Sequence, residues 1–215
     1  MLKFRILIIL SCLVLCQIVS DSASYQYPQN FANKKTAVEC LFQNCGLEGL
    51  ISFDAFSKAI EGFEKYHPLK SILAICDFTK PSDQNRFLVI DLEHKKLILN
   101  SLVAHGKNSG DRFANYFSNQ MHSLKSSLGF YRIGQEIISP KHGKAILLEG
   151  LEKGKNDLAR KREIIIHGAQ YVSTDFIKKN GRLGRSYGCA ALPVEIMNTI
   201  APILSNGALL YIYNN

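Results

Sequence analysis

From residue 69 onward the chain is a succession of short apolar runs, rich in β-branched residues, that are separated by turn-forming residues. Such runs predict β-strands, and these lie at 71–78, 86–92, 96–103, 129–133, 144–149, 163–167 and 208–213. Helical patterns interrupt them at 173–179 and 193–204. Because the helices do not alternate regularly with the strands, a doubly wound sheet is disfavoured. Residues 69–215 are expected to form a mainly β (α+β) domain.

A linker and a pair of helices are predicted before this domain, within residues 24–68. Ser52 is a suitable N-cap, and the apolar residues after it recur every three or four positions, as on one face of a helix. A weaker helical pattern covers 35–44. We expect the apolar face to pack on the β domain, and the alternative is a surface that binds a partner.

The first 23 residues have the pattern of an export signal. Lys3 and Arg5 precede an apolar run from Ile6 to Leu15, and small polar residues follow. A spanning helix needs about 20 apolar residues, so a cleaved signal fits better than an anchor. The prediction is an exported protein of the periplasm or cell envelope, without a stable membrane span after cleavage. An uncleaved anchor and a lipoprotein modified at Cys12 are the alternatives.

The composition is that of a soluble globular protein, with 47% hydrophobic and 20% charged residues. This mix excludes a disordered chain and a multi-span membrane protein. The net charge is +8, and between residues 141 and 190 eleven Lys or Arg face five Asp or Glu. Without a basic helix or an aromatic-rich binding motif, nucleic acid is a weaker partner than an acidic envelope polymer. Simple solubility is the alternative explanation of this charge.

Four cysteines lie outside the signal, namely Cys40, Cys45, Cys76 and Cys189. They do not form the pattern of a disulfide scaffold, although a bridge between Cys40 and Cys45 stays open. Cys76 lies in an apolar run and is predicted to be a buried hydrophobic residue. The spacings match no zinc motif, so no metal and no organic cofactor are expected.

One histidine and one cysteine stand out. An apolar strand ends in His167-Gly168, and a glycine-rich loop then presents Cys189 just before the predicted helix at 193–204. A thiol near a helix N-terminus is expected to favour its thiolate. Backbone N–H groups at Gly188 and Cys189 are placed to form an oxyanion hole. The alternative is structural: His167 caps a strand and Cys189 is a packed thiol.

Arginines close to this loop add to the same expectation. Arg182 and Arg185 lie just before Cys189 in the sequence. Their positive charge is expected to favour the thiolate further.

At these residues the sequence resembles the YkuD-like L,D-transpeptidases, the murein L,D-transpeptidase catalytic domain family. The family signature is a histidine, 16 to 19 residues, then Ser or Thr, any residue, Gly and Cys. Here His167 is followed by 18 residues and then by Ser186-Tyr187-Gly188-Cys189. Blocks at 77–82, 86–92, 103–107 and 126–131 belong to the same resemblance, which spans about residues 50 to 213.

The resemblance implies a YkuD-like β-sandwich or barrel with a short N-terminal helical element, acting on peptidoglycan stem peptides. Cys189 would attack the carbonyl between an L and a D centre and release the terminal D-amino acid. The acyl-enzyme would pass its acyl group to a second amine. His167 would be the general base, and the main-chain carbonyl of Gly168 would hold its ring.

The sequence departs from the commoner family pattern at two positions. Tyr187 and Ala191 stand where many members have His and either Arg or Asn, and the second change removes a substrate-carboxylate anchor. We hypothesise that Arg185 or Arg182 supplies this anchor. Ser186, Tyr187 and His105 are further candidates for substrate contact.

Two other functions stay open at this point. An L,D-carboxypeptidase, or hydrolase, on the same stems shares the first half-reaction and differs in how well the cleft excludes water. A non-catalytic cell-wall-binding module is the rival from another class. The oligomeric state is not predicted.

Overall fold

The protein, described by a computed structural model over residues 31–215, is built on one eight-stranded sheet. The predicted signal at 1–23 and most of the predicted linker lie outside the described residues. Four helices and eight strands follow in chain order: α1 (Phe31–Asn44), α2 (Phe53–Tyr66), β1 (Ile72–Asp77), β2 (Phe87–Asp91), β3 (Lys96–Ser101), β4 (Gly129–Ser139), β5 (Gly143–Gly150), β6 (Ile165–Gly168), α3 (Thr174–Asn180), β7 (Ala190–Leu192), α4 (Met197–Leu204) and β8 (Leu209–Tyr213).

The sheet has the strand order β3-β2-β1-β8-β4-β5-β6-β7. The pairs β1/β8 and β6/β7 are parallel, and the others are antiparallel. The chain just after β3 reaches the far edge, where Ala104 and Ala191 of β7 exchange hydrogen bonds of 2.8 and 3.3 Å. This bridge joins the two ends of the sheet, so the fold is a barrel-like sandwich.

Both faces of the central strands are buried, which explains why their sequences are continuous apolar runs. On β1, Leu73 and Ile75 face a core shared with α1 and α2, while Ala74 and Cys76 face a second core shared with α4. Helix α2 begins at the predicted N-cap, where the Ser52 hydroxyl accepts a hydrogen bond from the main chain. The helical pair therefore packs on the sheet, as expected.

The structure confirms the mainly β class and all seven predicted strands, with β4 and β5 longer than expected. The sequence did not predict β7. The predicted helix at 193–204 is divided into a short 3₁₀ segment, Val194–Ile196, and α4. No helix in residues 31–215 is long and apolar enough to cross a bilayer.

Among the four described cysteines, none is in a disulfide. Cys40 is exposed and Cys45 is buried, so the bridge that the sequence left open does not form here. Cys76 is completely buried in the core, as predicted.

Candidate active site

His167 lies near the end of β6, between β5 and β7. Its Nδ1 is 3.0 Å from the main-chain carbonyl oxygen of Gly168. A carbonyl only accepts, so Nδ1 carries the proton and Nε2 keeps a lone pair. Burial lowers the pKa of His167 to about 4, and His142 and Lys141 act in the same direction, against the Gly168 hydrogen bond. The ring is therefore neutral at neutral pH, and Nε2 can accept a proton.

Cys189 immediately precedes β7. In the parallel pairing of β6 and β7, His167 lies opposite Ala191. Two residues earlier on each strand, the same register puts Cys189 opposite Ile165. Residues two apart on a strand share a face, and Cys189 and His167 therefore lie on the same face. Diagonal neighbours on adjacent strands have Cα atoms about 7–8 Å apart, which a thiol and an imidazole can bridge.

The Cys189 thiol is free and only 9% of the residue is exposed. Burial raises its pKa, while the N–H of Ile165, the charge of Arg162 and its own N–H oppose this rise. Sγ lies 3.7 Å from the Glu163 carbonyl oxygen, and within residues 31–215 no hydrogen bond joins it to the His167 ring. The resting site is thus a neutral thiol beside a neutral imidazole. This corrects the expectation of a thiolate.

The loop before Cys189 is fixed by its own side chains. The Ser186 hydroxyl donates to the Cys189 carbonyl at 2.7 Å and accepts from the Gly188 N–H at 3.1 Å. The Ser126 hydroxyl donates to the Gly188 carbonyl at 3.2 Å. Gly188 adopts φ +126°, where a Cβ would lie 2.9 Å from Ile164 and from a neighbouring carbonyl, so only glycine fits.

These contacts describe two residues that the sequence proposed for the site. Ser186 is buried and fixes the loop through its hydroxyl, and its role in substrate contact stays a prediction. The Gly188 N–H donates to the Ser186 hydroxyl here, and its role as an oxyanion donor also stays a prediction. The main-chain N–H groups of Ile165 and Cys189 act to lower the pKa of the Cys189 thiol.

His105 is part of a buried support behind this loop. Arg86 donates from Nε and Nη2 to the Val103 carbonyl and from Nη2 to His105 Nδ1 at 2.8 Å. The His105 carbonyl in turn accepts the Ser186 N–H at 2.9 Å. His105 is completely buried and supports the loop from behind, and its predicted contact with substrate stays a prediction.

A cleft with a volume of about 970 Å³ opens above the thiol. Cys189 and the exposed Tyr187 line it together with the tip of the β4–β5 hairpin and the segment before β6. Its lining residues are Met121, His122, Leu124, Ile137, Ile138, Ser139, Pro140, Lys141, His142, Leu147, Arg160, Lys161, Arg162, Glu163, Ile164, Ile165, Tyr187 and Cys189. Tyr187 therefore lies in the cleft, and its predicted contact with substrate stays a prediction.

Arg182 and Arg185 are apart from these lining residues. Both pair with Asp111, at 2.7 and 3.1 Å, and Arg185 also donates to the Gly110 carbonyl. In this arrangement both side chains are held by Asp111 and do not line the cleft, and the hypothesis that they anchor substrate or stabilise the thiolate stays a prediction. Cys189 does not lie at a helix N-terminus, because strand β7 and a 3₁₀ segment separate it from α4. The expectation that a helix N-terminus favours its thiolate is therefore wrong.

Arg162 is the cation beside the thiol, and the sequence analysis missed it. Its Nη1 donates to the Ser118 carbonyl at 2.8 Å and to the Ser127 hydroxyl at 2.7 Å. Its Nη2 donates to the Lys125 carbonyl. The basic bias of residues 141–190 was the only available signal, and it does not single out one arginine.

The turn between β4 and β5 also contributes to the site. Lys141 Nζ is 5.1 Å from the centre of the Tyr187 ring, within cation–π range. The adjacent His142 stacks on His167. The tip of the hairpin therefore contacts both the cysteine loop and the histidine strand.

Comparison with known proteins supports one family. The profile of the L,D-transpeptidase catalytic domain matches residues 48–213. No curated protein matched the chain.

Several solved structures are similar to the chain at low identity. An L,D-transpeptidase from Mycobacterium smegmatis has 12% identity and a TM-score of 0.42, over 67% of this chain and 59% of that one. The helical cell shape determining protein Pgp2 from Campylobacter jejuni has 18% identity and a TM-score of 0.45, over 67% and 47%. The chain thus spans roughly half to three fifths of these proteins.

Proposed function

The chain belongs to the L,D-transpeptidase catalytic domain family, and from this premise we propose that it is an exported cysteine acyltransferase acting on peptidoglycan stem peptides. One observation carries the proposal. His167, with Nδ1 bound to the Gly168 carbonyl and Nε2 left to accept a proton, shares a sheet face with the free thiol of Cys189 at the cleft. This placement supports Cys189 as the nucleophile and His167 as its general base.

In the proposed first step, His167 Nε2 accepts the thiol proton as Sγ attacks the carbonyl between the L and D centres of the stem. The C–N bond then breaks and the imidazolium returns the proton to the departing D-amino acid, leaving a thioester on Cys189. In the second step Nε2 takes a proton from the incoming amine. The amine nitrogen bonds to the acyl carbon, the C–S bond breaks, and the proton on Nε2 returns to Sγ to release the thiol.

The resting geometry adds a requirement to this scheme. Sγ contacts the Glu163 carbonyl rather than the ring, so rotation about χ1 of Cys189 must bring it to Nε2. Hydrogen bonds of this kind often tighten only when substrate is bound. Since the thiol and the ring are both neutral, proton transfer accompanies the attack rather than preceding it.

The tetrahedral intermediate needs N–H donors next to the attacked carbonyl, directed at the oxygen that becomes the oxyanion. The main-chain N–H groups of Cys189 and Ile165 act on the Cys189 thiol and lower its pKa against the effect of burial. We assign the main-chain N–H of Cys189 as an oxyanion donor, in place of Gly188.

The cleft also fits a substrate rich in carboxylates. Lys141, Arg160, Lys161 and Arg162 line it, and Glu163 is the one carboxylate among its described lining residues. Arg160 and Lys161 are exposed. They replace Arg182 and Arg185 as the anchors that we propose for the stem carboxylates.

The test is incubation of the purified protein with a tetrapeptide muropeptide, with the products identified by mass. A crosslinked dimer is expected, and it must vanish in Cys189→Ala but persist in Cys40→Ala, which removes an exposed cysteine away from the cleft. A tripeptide without a dimer would replace transfer by hydrolysis. Binding without any product would contradict the enzymatic proposal and favour a wall-binding module.

A further inference from the structure

The β4–β5 turn places one imidazole ring on another. The centroids of His142 and His167 are 3.8 Å apart, with 25° between the ring planes. Ser139 pairs with Gly143 at the end of the hairpin, and Ala145 pairs with His167. The turn therefore folds back over the strand that carries the general base.

The two rings differ in their exposure. His142 is partly exposed and lines the cleft, whereas His167 beneath it is 1% exposed. One side of the His167 ring is thus covered by an aromatic surface, and its edge is held at Nδ1 by the Gly168 carbonyl. In the described part of the chain Nε2 makes no hydrogen bond.

We propose that His142 is a positioning residue for the general base: its ring, stacked on His167, holds the imidazole in the plane that leaves Nε2 free for the Cys189 thiol and keeps water from that face. The inference rests on the proposed function, because it assigns His167 as the base. The sequence gives His142 no such role, since only the hairpin brings it over His167.

Stacking and hydrogen bonding restrain different motions of the ring. The Nδ1 bond alone allows the ring to tilt around the N–H···O direction, because hydrogen-bond angles are broadly distributed. A stacked aromatic neighbour opposes that tilt through dispersion and excluded volume. Together the two contacts define a single ring plane, as a proton acceptor in catalysis requires.

The stack also disfavours a proton on His167. Two charged imidazoles at this separation would repel strongly, and coverage by His142 removes water that would solvate the cation. The titratable and charged groups on the elements packed against β6 are Lys141 and His142 in the turn, Lys144 and Glu149 on β5, Glu195 in the 3₁₀ segment and the Cys189 thiol before β7. Lys144 is paired with Glu136, and Glu149 is paired with Arg132. Among these charged groups, Lys141 and His142 of the turn are therefore the ones that lower the pKa of His167.

The decisive measurement is the NMR titration of the His167 ring in the full chain, which needs no substrate. In His142→Ala the His167 pKa should rise by at least one unit toward the ordinary value. In His142→Phe, which keeps a stacked ring but not the charge, the titration should stay closer to the wild-type position than in His142→Ala. His142→Gln serves as a second removal variant in case the alanine variant does not fold.

Kinetics give an independent check. In His142→Ala, the acidic limb of the pH profile of kcat/KM should move upward with the His167 titration, and kcat should fall about tenfold. His142→Phe should restore both. His94→Ala removes an exposed histidine from the β2–β3 turn and should leave both unchanged.

Two results would overturn the inference. One is a His167 titration that is the same in wild type, His142→Ala and His142→Gln. The other is a phenylalanine variant that titrates like the alanine variant, because the effect would then not come from stacking. If the titration moves as expected but no peptidoglycan product forms in the wild type, the proposed function fails and the positioning contact stands.

Discussion

Two buried histidines of this protein, His105 and His167, each precede a glycine, and the structure gives them opposite environments. His105 uses both ring nitrogens: Nδ1 accepts from Arg86 at 2.8 Å, and Nε2 lies 3.4 Å from the Gly110 carbonyl. His167 uses only Nδ1, with Gly168. Both rings are buried, with pKa values lowered by burial to about 3 and about 4.

The difference shows that burial and a lowered pKa do not identify a catalytic histidine by themselves. The two rings differ because only His167 has a free acceptor nitrogen, and this nitrogen lies near a thiol and a cleft. His105 is saturated and supports the cysteine loop, whereas His167 has one nitrogen left for chemistry. The predictions below test this contrast, in order of decreasing effect.

The largest effect is expected when the free nitrogen is removed. His167→Gln should lower kcat/KM for muropeptide crosslinking by about 10³-fold, because general-base catalysis contributes typically 10²–10⁴. Its unfolding midpoint in urea should stay near that of the wild type. In His105→Ala, by contrast, the main effect should be a lowered unfolding midpoint in urea. Full stability in that variant would contradict the proposed difference between His105 and His167.

The next effect concerns the saturated histidine. Arg86→Met should lower the free energy of unfolding by about 3 kcal/mol or more, because it leaves the Lys80 and Val103 carbonyls and His105 Nδ1 without their buried donor. Chemical denaturation measures this. Arg132→Met is the control, since its ion pair with Glu149 is exposed and should cost at most about 1 kcal/mol.

A smaller effect is expected on folding stability when the pH is lowered. Both histidines have folded pKa values below the unfolded value of about 6.5, so protons bind the unfolded state preferentially as the pH falls. The stability that they contribute is therefore complete above pH 6.5 and is lost between 6.5 and their folded values of about 3 and 4. At pH 5 each accounts for a loss of about 2 kcal/mol.

Urea unfolding of wild type and His167→Gln at pH 7.5 and pH 5 tests this linkage. The loss of stability between the two conditions should be about 2 kcal/mol smaller in the variant. Equal losses in both proteins would mean that His167 is not held neutral by the fold.

Local pattern was sufficient for much of the fold. The apolar runs of β1, β2 and β8 are read directly as strands because both sheet faces are buried there, and Ser52 marks the start of α2. Strand β7 was missed because Ala190–Leu192 is too short to show a period. The closure between Ala104 and Ala191 joins distant segments, and no local pattern records it.

In the candidate site, too, some residues were predicted from local sequence and others depend on the tertiary fold. The signature predicted His167 and Cys189, and the resemblance predicted the Gly168 carbonyl as partner of the ring. Arg162 was missed because proximity in sequence favoured Arg182 and Arg185, whereas Arg162 reaches the thiol through contacts with Ser118 and Ser127. His142 likewise depends on the folding of a hairpin.

The smallest expected effect concerns Arg162, whose charge partly offsets the rise that burial causes in the pKa of Cys189. In Arg162→Met that pKa should rise further, so alkylation by iodoacetamide at pH 8 should slow roughly fivefold, which corresponds to about 1 kcal/mol of lost charge interaction. A Cys40→Ala background isolates the signal, because burial raises the pKa of Cys45 to about 11 and that of Cys76 to about 12. Arg162→Lys keeps the charge and should recover part of the rate. If both variants alkylate at the wild-type rate, the cation supports the loop through Ser118 and Ser127 without influencing the thiol, and the environment of Cys189 is then determined by burial and main-chain N–H groups alone.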